Sequence, residues 1–184
     1  MDKLIISVLG KDRPGIIAAI SKSLYTLGCN LENVNQVILQ NQFAGIFIVL
    51  PPKDLSIETV KETLVTDSAG TGLHIHVDVA DTDQNGDQAG DGEDFVITTI
   101  GPDQKGLVAR FTKIIADAKV NVSNLRAVFE GGDTPEANVM VYEVYITPDT
   151  DQKALFSALR DKASELGLDI SIQHKNIFQA INKI

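Results

Sequence analysis

The sequence has no tryptophan, one cysteine, and aromatic residues at only 5% of its 184 positions. A single cysteine, Cys29, cannot close a disulfide within the chain, which fits a reducing, cytoplasmic setting. So few aromatic rings disfavour a base-stacking platform for single-stranded nucleic acid. Positive charge is also short, with 16 Lys and Arg against 25 Asp and Glu, a net charge of −9. A surface that neutralises DNA phosphates needs a basic face, and no segment supplies one, so direct nucleic-acid binding is not expected. No apolar run approaches the roughly 20 residues that span a bilayer. The start, Met1-Asp2-Lys3-Leu4, lacks the basic and long apolar segments of a secretion signal.

Catalytic signatures are missing as well. There is no Gly-x-Ser-x-Gly, no Cys–His pairing pattern and no His-Glu-x-x-His. Gly10 and Gly15 have the glycine spacing of a phosphate loop, but Ile16-Ile17 follow where Lys-Ser/Thr is required. An enzyme is not expected, and nothing calls for a cofactor. His74 and His76 share one strand face at a spacing that could begin a zinc site, although histidines on an exposed sheet face are the plainer reading. Cys29 reads as a small buried hydrophobe.

What is present is a duplication. Residues 80–94 carry six acidic and no basic side chains and no bulky apolar ones, which reads as a flexible linker. Its Asp81, Asp83, Asp87 and Asp91 do not match the spacing of a calcium loop, so no metal is expected there. With a constant offset of 91, the segment before the linker overlays the one after it. Ile6 meets Ile97, Gly10 meets Gly101, Asp12 meets Asp103, Gly15 meets Gly106, Lys22 meets Lys113, and Asn30 meets Asn121. The expected organisation is a first unit over 1–80, a linker over 81–93, a second unit over 94–173 and an extension over 174–184.

Each unit reads as β-α-β-β-α-β. In the first, Leu4–Leu9 has strand length, and Ile16, Ile17, Ile20, Leu24 and Leu27 recur at helical spacing. Asp12 is the expected N-cap, Pro14 suits the first turn and Gly28 the exit. Leu31–Leu39 and Phe43–Leu50 predict a hairpin around Gln40-Asn41-Gln42. Ile57, Val60 and Leu64 mark a second helix, and Leu73, Ile75, Val77 and Val79 alternate as a half-buried strand. The second unit repeats this order, ending with a helix through Leu155, Leu159 and Ala163 and a strand through Leu168, Ile170 and Ile172. The fold class is therefore α+β, two ferredoxin-like βαββαβ units, each a four-stranded antiparallel sheet with two helices on one face.

The feature shared by both units is the first strand-to-helix turn, Gly10-Lys11-Asp12-Arg13-Pro14-Gly15 and Gly101-Pro102-Asp103-Gln104-Lys105-Gly106. Glycines permit a sharp bend, and the helix start at Ile16 or Leu107 offers unpaired N–H groups suited to a carboxylate. If the next strand lies beside the first, Asn30 and Asn121 return near Asp12 and Asp103, where a side-chain oxygen could hold an ammonium. That constellation would take a free α-amino acid. The competing reading is a plain structural cap that binds nothing.

The run Gly10-Lys11-Asp12-Arg13-Pro14-Gly15-Ile16, with Gly28-Cys29-Asn30 further on, resembles the ACT domain, an amino-acid-sensing module. Two such units, an acidic linker and the ending Ile177-Phe178-Gln179-Ala180-Ile181 are similar to the glycine cleavage system transcriptional repressor family. The resemblance implies a regulator that binds glycine or serine through Asp12 and Asn30, and through Asp103 and Asn121. It implies a transcription factor as protein partner or, alternatively, a role as regulatory subunit of a metabolic enzyme. It also implies pairing of the units as an internal pseudo-dimer, with a homodimer open. In the second unit Gln104-Lys105 replaces Arg13-Pro14, which removes a preset φ.

Overall fold

The computed structural model describes residues 2–81, 91–128 and 138–177. Most of the acidic linker, residues 129–137 between two strands of the second unit, and residues 178–184 therefore lie outside the described residues. The chain divides into two compact units at residues 87/88. The first contains β1 (Leu4–Lys11), α1 (Ile16–Thr26), β2 (Asn30–Leu39), β3 (Gln42–Leu50), α2 (Ile57–Asp67) and β4 (His74–Val79). The second contains β5 (Glu93–Gly101), α3 (Leu107–Asp117), β6 (Asn121–Val128), β7 (Asn138–Ile146), α4 (Gln152–Glu165) and β8 (Asp169–His174). No described helix is long and apolar enough to cross a membrane.

Each unit is a four-stranded antiparallel sheet, in the orders β2-β3-β1-β4 and β6-β7-β5-β8. Two helices cover one face, as the βαββαβ pattern requires. Leu4, Ile6 and Val8 alternate inward on β1 and meet Ile16, Ile20 and Leu24 of α1 and Val60 and Leu64 of α2. Phe95 and Ile97 of β5 do the same against Leu107, Phe111, Ile115, Leu155 and Leu159. The duplication reaches fine detail. Both second strands carry a register shift at the same place, between Leu31 and Asn33 and between Val122 and Asn124.

The connections follow local backbone chemistry. Gln40 and Asn41 both adopt positive φ, 46° and 64°, giving the two-residue turn whose twist matches a hairpin. At the end of α1, Gly28 has φ 73°; its N–H donates to Tyr25 O and the Cys29 N–H donates to Leu24 O, 2.9 and 3.0 Å. This double bond closes the helix end. The second unit keeps the same bonds but places Lys119 at the left-handed position, φ 59°. A side chain there is strained.

Differences between the cores are also informative. Thr99 stands where the first unit has Val8; it is fully buried and its hydroxyl has no partner. Tyr142, fully buried, donates only to Met140 Sδ at 3.3 Å, and burial pushes its hydroxyl up to about 12. On the opposite sheet face, Glu143 accepts from Asn124 Nδ2 and Lys175 Nζ, each at 2.9 Å. Those two donors, Asn124 first, hold the Glu143 carboxyl below its ordinary value of 4.5.

Three outcomes follow from these packing details. Thr99→Val should raise stability by about 1 kcal/mol, because it removes an unbonded buried hydroxyl at nearly constant volume. Lys119→Gly should add about 0.5–1 kcal/mol, the relieved left-handed strain less the extra entropy of unfolded glycine. Urea unfolding checks both, and a loss of stability in either would contradict the packing argument. Because the folded Glu143 carboxyl is the more acidic, its contribution is complete above the carboxylate range and is lost as pH falls through its folded value. Glu143→Gln should therefore flatten the acid side of the stability profile and leave its slope near neutrality unchanged.

Candidate functional site

The shared turn is built by two close approaches. A side chain at Gly10 would put its Cβ 2.8 Å from Leu73 Cδ2 and 3.1 Å from Gly72 O; one at Gly101 would meet Leu168 Cδ2 at 2.6 Å. The turns leading into β4 and β8 thus pass directly over these glycines, which supplies a packing reason for them. The Asp12 N–H donates to Asn41 O at 2.8 Å, fastening the turn to the β2–β3 hairpin tip. Gly15 and Gly106 then adopt φ of 96° and 81° and become the N-caps of α1 and α3. Only glycine enters that region without strain.

The caps correct one expectation. Asp12 lies three residues before the Gly15 cap, and neither α1 nor α3 has a side-chain hydrogen bond at its start. The other two helices do: Ser56 Oγ accepts from the Thr59 N–H, and Asp151 accepts from the Ala154 N–H. Pro14 likewise sits in the turn before the helix and not within its first turn. The first amides of α1 and α3 are therefore left without a side-chain acceptor, at the positive end of the helix dipole. The side chains of Ile16 and Leu107 are buried, so these residues can offer a ligand only their backbone N–H.

The two turns are not identical. Arg13 is exposed and has no ion pair among the described residues, and Asp12 beside it is half-buried. In the second unit the corresponding Gln104 donates from Nε2 to Leu166 O at 2.6 Å, bracing the turn against the end of α4. A concavity of about 340 Å³ lies over Asp103, Gln104, Lys105 and Gly106.

The strand asparagines are not where the sequence reading puts them. β3 lies between β2 and β1, so Asn30 does not return beside Asp12. Asn30 is in register with Leu50, whose neighbour Val49 faces Leu4, whereas Lys11 faces Gln42 at the other end. Seven residues separate those two ends of β1, about 23 Å at the usual strand rise. Asn121 is displaced in the same way, level with Tyr145 and Asp94 while the turn follows Gly101. The cause is topological: a hairpin partner, not the strand after the helix, occupies the place beside β1. Each turn and its own unit's asparagine are at opposite ends of one sheet.

Other candidates resolve simply. Cys29 is buried, and burial raises its thiol, as suits a small apolar core residue. No group of three or more His, Cys, Asp or Glu is gathered for a metal among the described residues. Sequence reasoning missed the role of Asn41, whose carbonyl holds Asp12; the two-residue hairpin loop carries the signal for it. It also missed the Gln104 brace, which no motif announces.

Comparison with known proteins places this geometry. The ACT domain family profile matches residues 2–78 and 93–173. A UPF0237 protein of Methanococcus maripaludis is 33% identical over 93 residues, half of this chain and 99% of that protein. One from Methanopyrus kandleri is 36% identical over 84 residues, 45% of this chain and 91% of its own. Among solved structures, an uncharacterised protein from Galdieria sulphuraria superposes with a TM-score of 0.78 at 23% identity, covering 94% of this chain and 98% of its own. A protein provisionally named a glycine cleavage system transcriptional repressor superposes at 0.70 and 17% identity, covering 94% and 96%. With both units matched over most of their length, the chain belongs to the ACT domain family and is a tandem pair of its domains.

Proposed function

We propose that this chain is an amino-acid-responsive regulator, not an enzyme, and that the turn of the first unit holds the ligand carboxylate. One observation carries the reading: among α1–α4, the two helices that follow the Gly-flanked turns lack a side-chain acceptor at their start, and the other two have one. Amides left open in this way suit a small anion. In the first unit Asp12, three residues before the cap, would take the ammonium, and the exposed Arg13 would add a second contact to the carboxylate.

Asn30 joins this site only from another sheet. All ten residues of β2 are exposed, no other described strand pairs with its outer edge, and its one charge, Glu32, is already bonded to Lys3 at 2.7 Å. Antiparallel pairing with the β2 edge of a second copy therefore meets no like-charge repulsion. Full overlap of two such strands sets Asn30 of one copy opposite Leu39 of the other. That is one residue from the hairpin tip whose Asn41 carbonyl holds Asp12. A ligand would then be gripped by the turn of one copy and Asn30 of a second, and would favour the paired state.

The output of such a switch is contact with another protein, for which a transcription factor controlling glycine or related amino-acid metabolism is the best candidate. The two-unit correspondence with the provisionally named repressor supports that direction. The acidic net charge argues against contact with DNA itself.

A thermal-shift screen against the common amino acids tests the reading, since a ligand of the native state raises the melting temperature. Glycine or serine should raise it at millimolar concentration; no response to any amino acid would overturn the proposal. Asn30→Ala should weaken binding about tenfold or more, as expected for a hydrogen bond to a charged group, with the unliganded melting temperature unchanged. The purified chain alone should give no salt-sensitive gel shift with DNA.

A further inference from the structure

The chain has three histidines, and two of them stand on one strand outside the proposed ligand site. In β4, Ile75 and Val77 turn toward the core while His74, His76 and Asp78 face outward on the side of the sheet away from the helices. We infer that His74 and His76 form a two-imidazole chelate for a divalent transition-metal ion of the zinc, nickel and copper class.

Residues two apart on a strand share a face with Cα atoms about 6.7 Å apart, close enough for two imidazoles to converge on one ion. Imidazole nitrogen suits these borderline metals. β4 is an edge strand and both histidines are exposed, so the remaining coordination positions open to water. The Asp78 carboxylate lies 3.8 Å from His76 Nε2, beyond hydrogen-bond distance, and puts a negative charge beside the ion. The groups facing the pair from β1 are Leu9 opposite His74, Ser7 opposite His76 and Ile5 opposite Asp78. None is cationic; Lys11 is the nearest cation along β1, one face position beyond Leu9.

The duplication supplies an internal control. By the register with β5, the second unit places Asp169, Ser171 and Gln173 where the first has His74, His76 and Asp78. The fold therefore does not require imidazoles on this face. The third histidine, His174, makes a T-shaped contact with Phe95 and accepts the Asn176 N–H at Nδ1, so it is structural.

Titration of the full chain with zinc or nickel chloride, followed by calorimetry and by the histidine ring resonances, tests the inference. One ion per chain should bind at micromolar metal, moving the resonances of His74 and His76 and leaving those of His174 in place. The double variant His74→Ala/His76→Ala should lose this binding, and Asp78→Asn should weaken it by about fivefold through loss of the nearby negative charge. Binding should also fall with acid, because protons compete for the same nitrogens. Both substitutions are at exposed positions, so an unchanged circular dichroism spectrum is expected. Absence of binding at micromolar metal, or undiminished binding by the double variant through carboxylates elsewhere, would overturn the assignment.

Discussion

A glycine forced to positive φ at the end of a strand-to-helix turn leaves the first amides of the following helix without a side-chain acceptor. Gly15 and Gly106 impose this on α1 and α3. A serine or aspartate at the cap, as at Ser56 and Asp151, would supply an oxygen and close the position. Gly10 and Gly101 serve a different end, since they let the turns before β4 and β8 cross at van der Waals distance. The same short motif therefore combines a packing requirement with an electrostatic opening, and the binding proposal depends on the second alone.

Duplication lets each unit act as a control for the other. Features present in both, such as the register shift in β2 and β6 and the doubly bonded helix end, belong to the fold. Features found once point to specialisation. The first unit has the free Arg13, the ten-residue exposed β2 edge and the outward histidine pair. The second has the Gln104 brace, the Glu143–Lys175 contact and the unpaired Thr99 hydroxyl. The first turn carries an exposed cation, Arg13; the second is tied to the end of α4 through Gln104.

The fold was legible in the sequence because period and punctuation agree. Apolar residues at Ile16, Ile20 and Leu24 fix a helix face, alternation in β1 and β4 fixes inward sides, and Gly28 marks a helix end. The offset of 91 then doubles every inference. The site was legible only in part. The turn residues are adjacent in sequence, so local chemistry reveals them. The place of Asn30 depends on strand order, which no local pattern encodes: β2 follows α1 in the chain, yet β3 lies beside β1. Asp12 reads as a cap because it is the acidic residue nearest the helix, while backbone geometry gives that position to Gly15.

Under the proposed function, a small amino acid is held by the open amides of α1. Backbone amide resonances report this directly during titration of the full chain with glycine or serine. The amides of Ile16 and Ile17 should move first, together with Asp12 and Asn30, while those of α2, already capped by Ser56, stay in place. Saturable shifts confined to other elements, with the start of α1 unmoved, would contradict it.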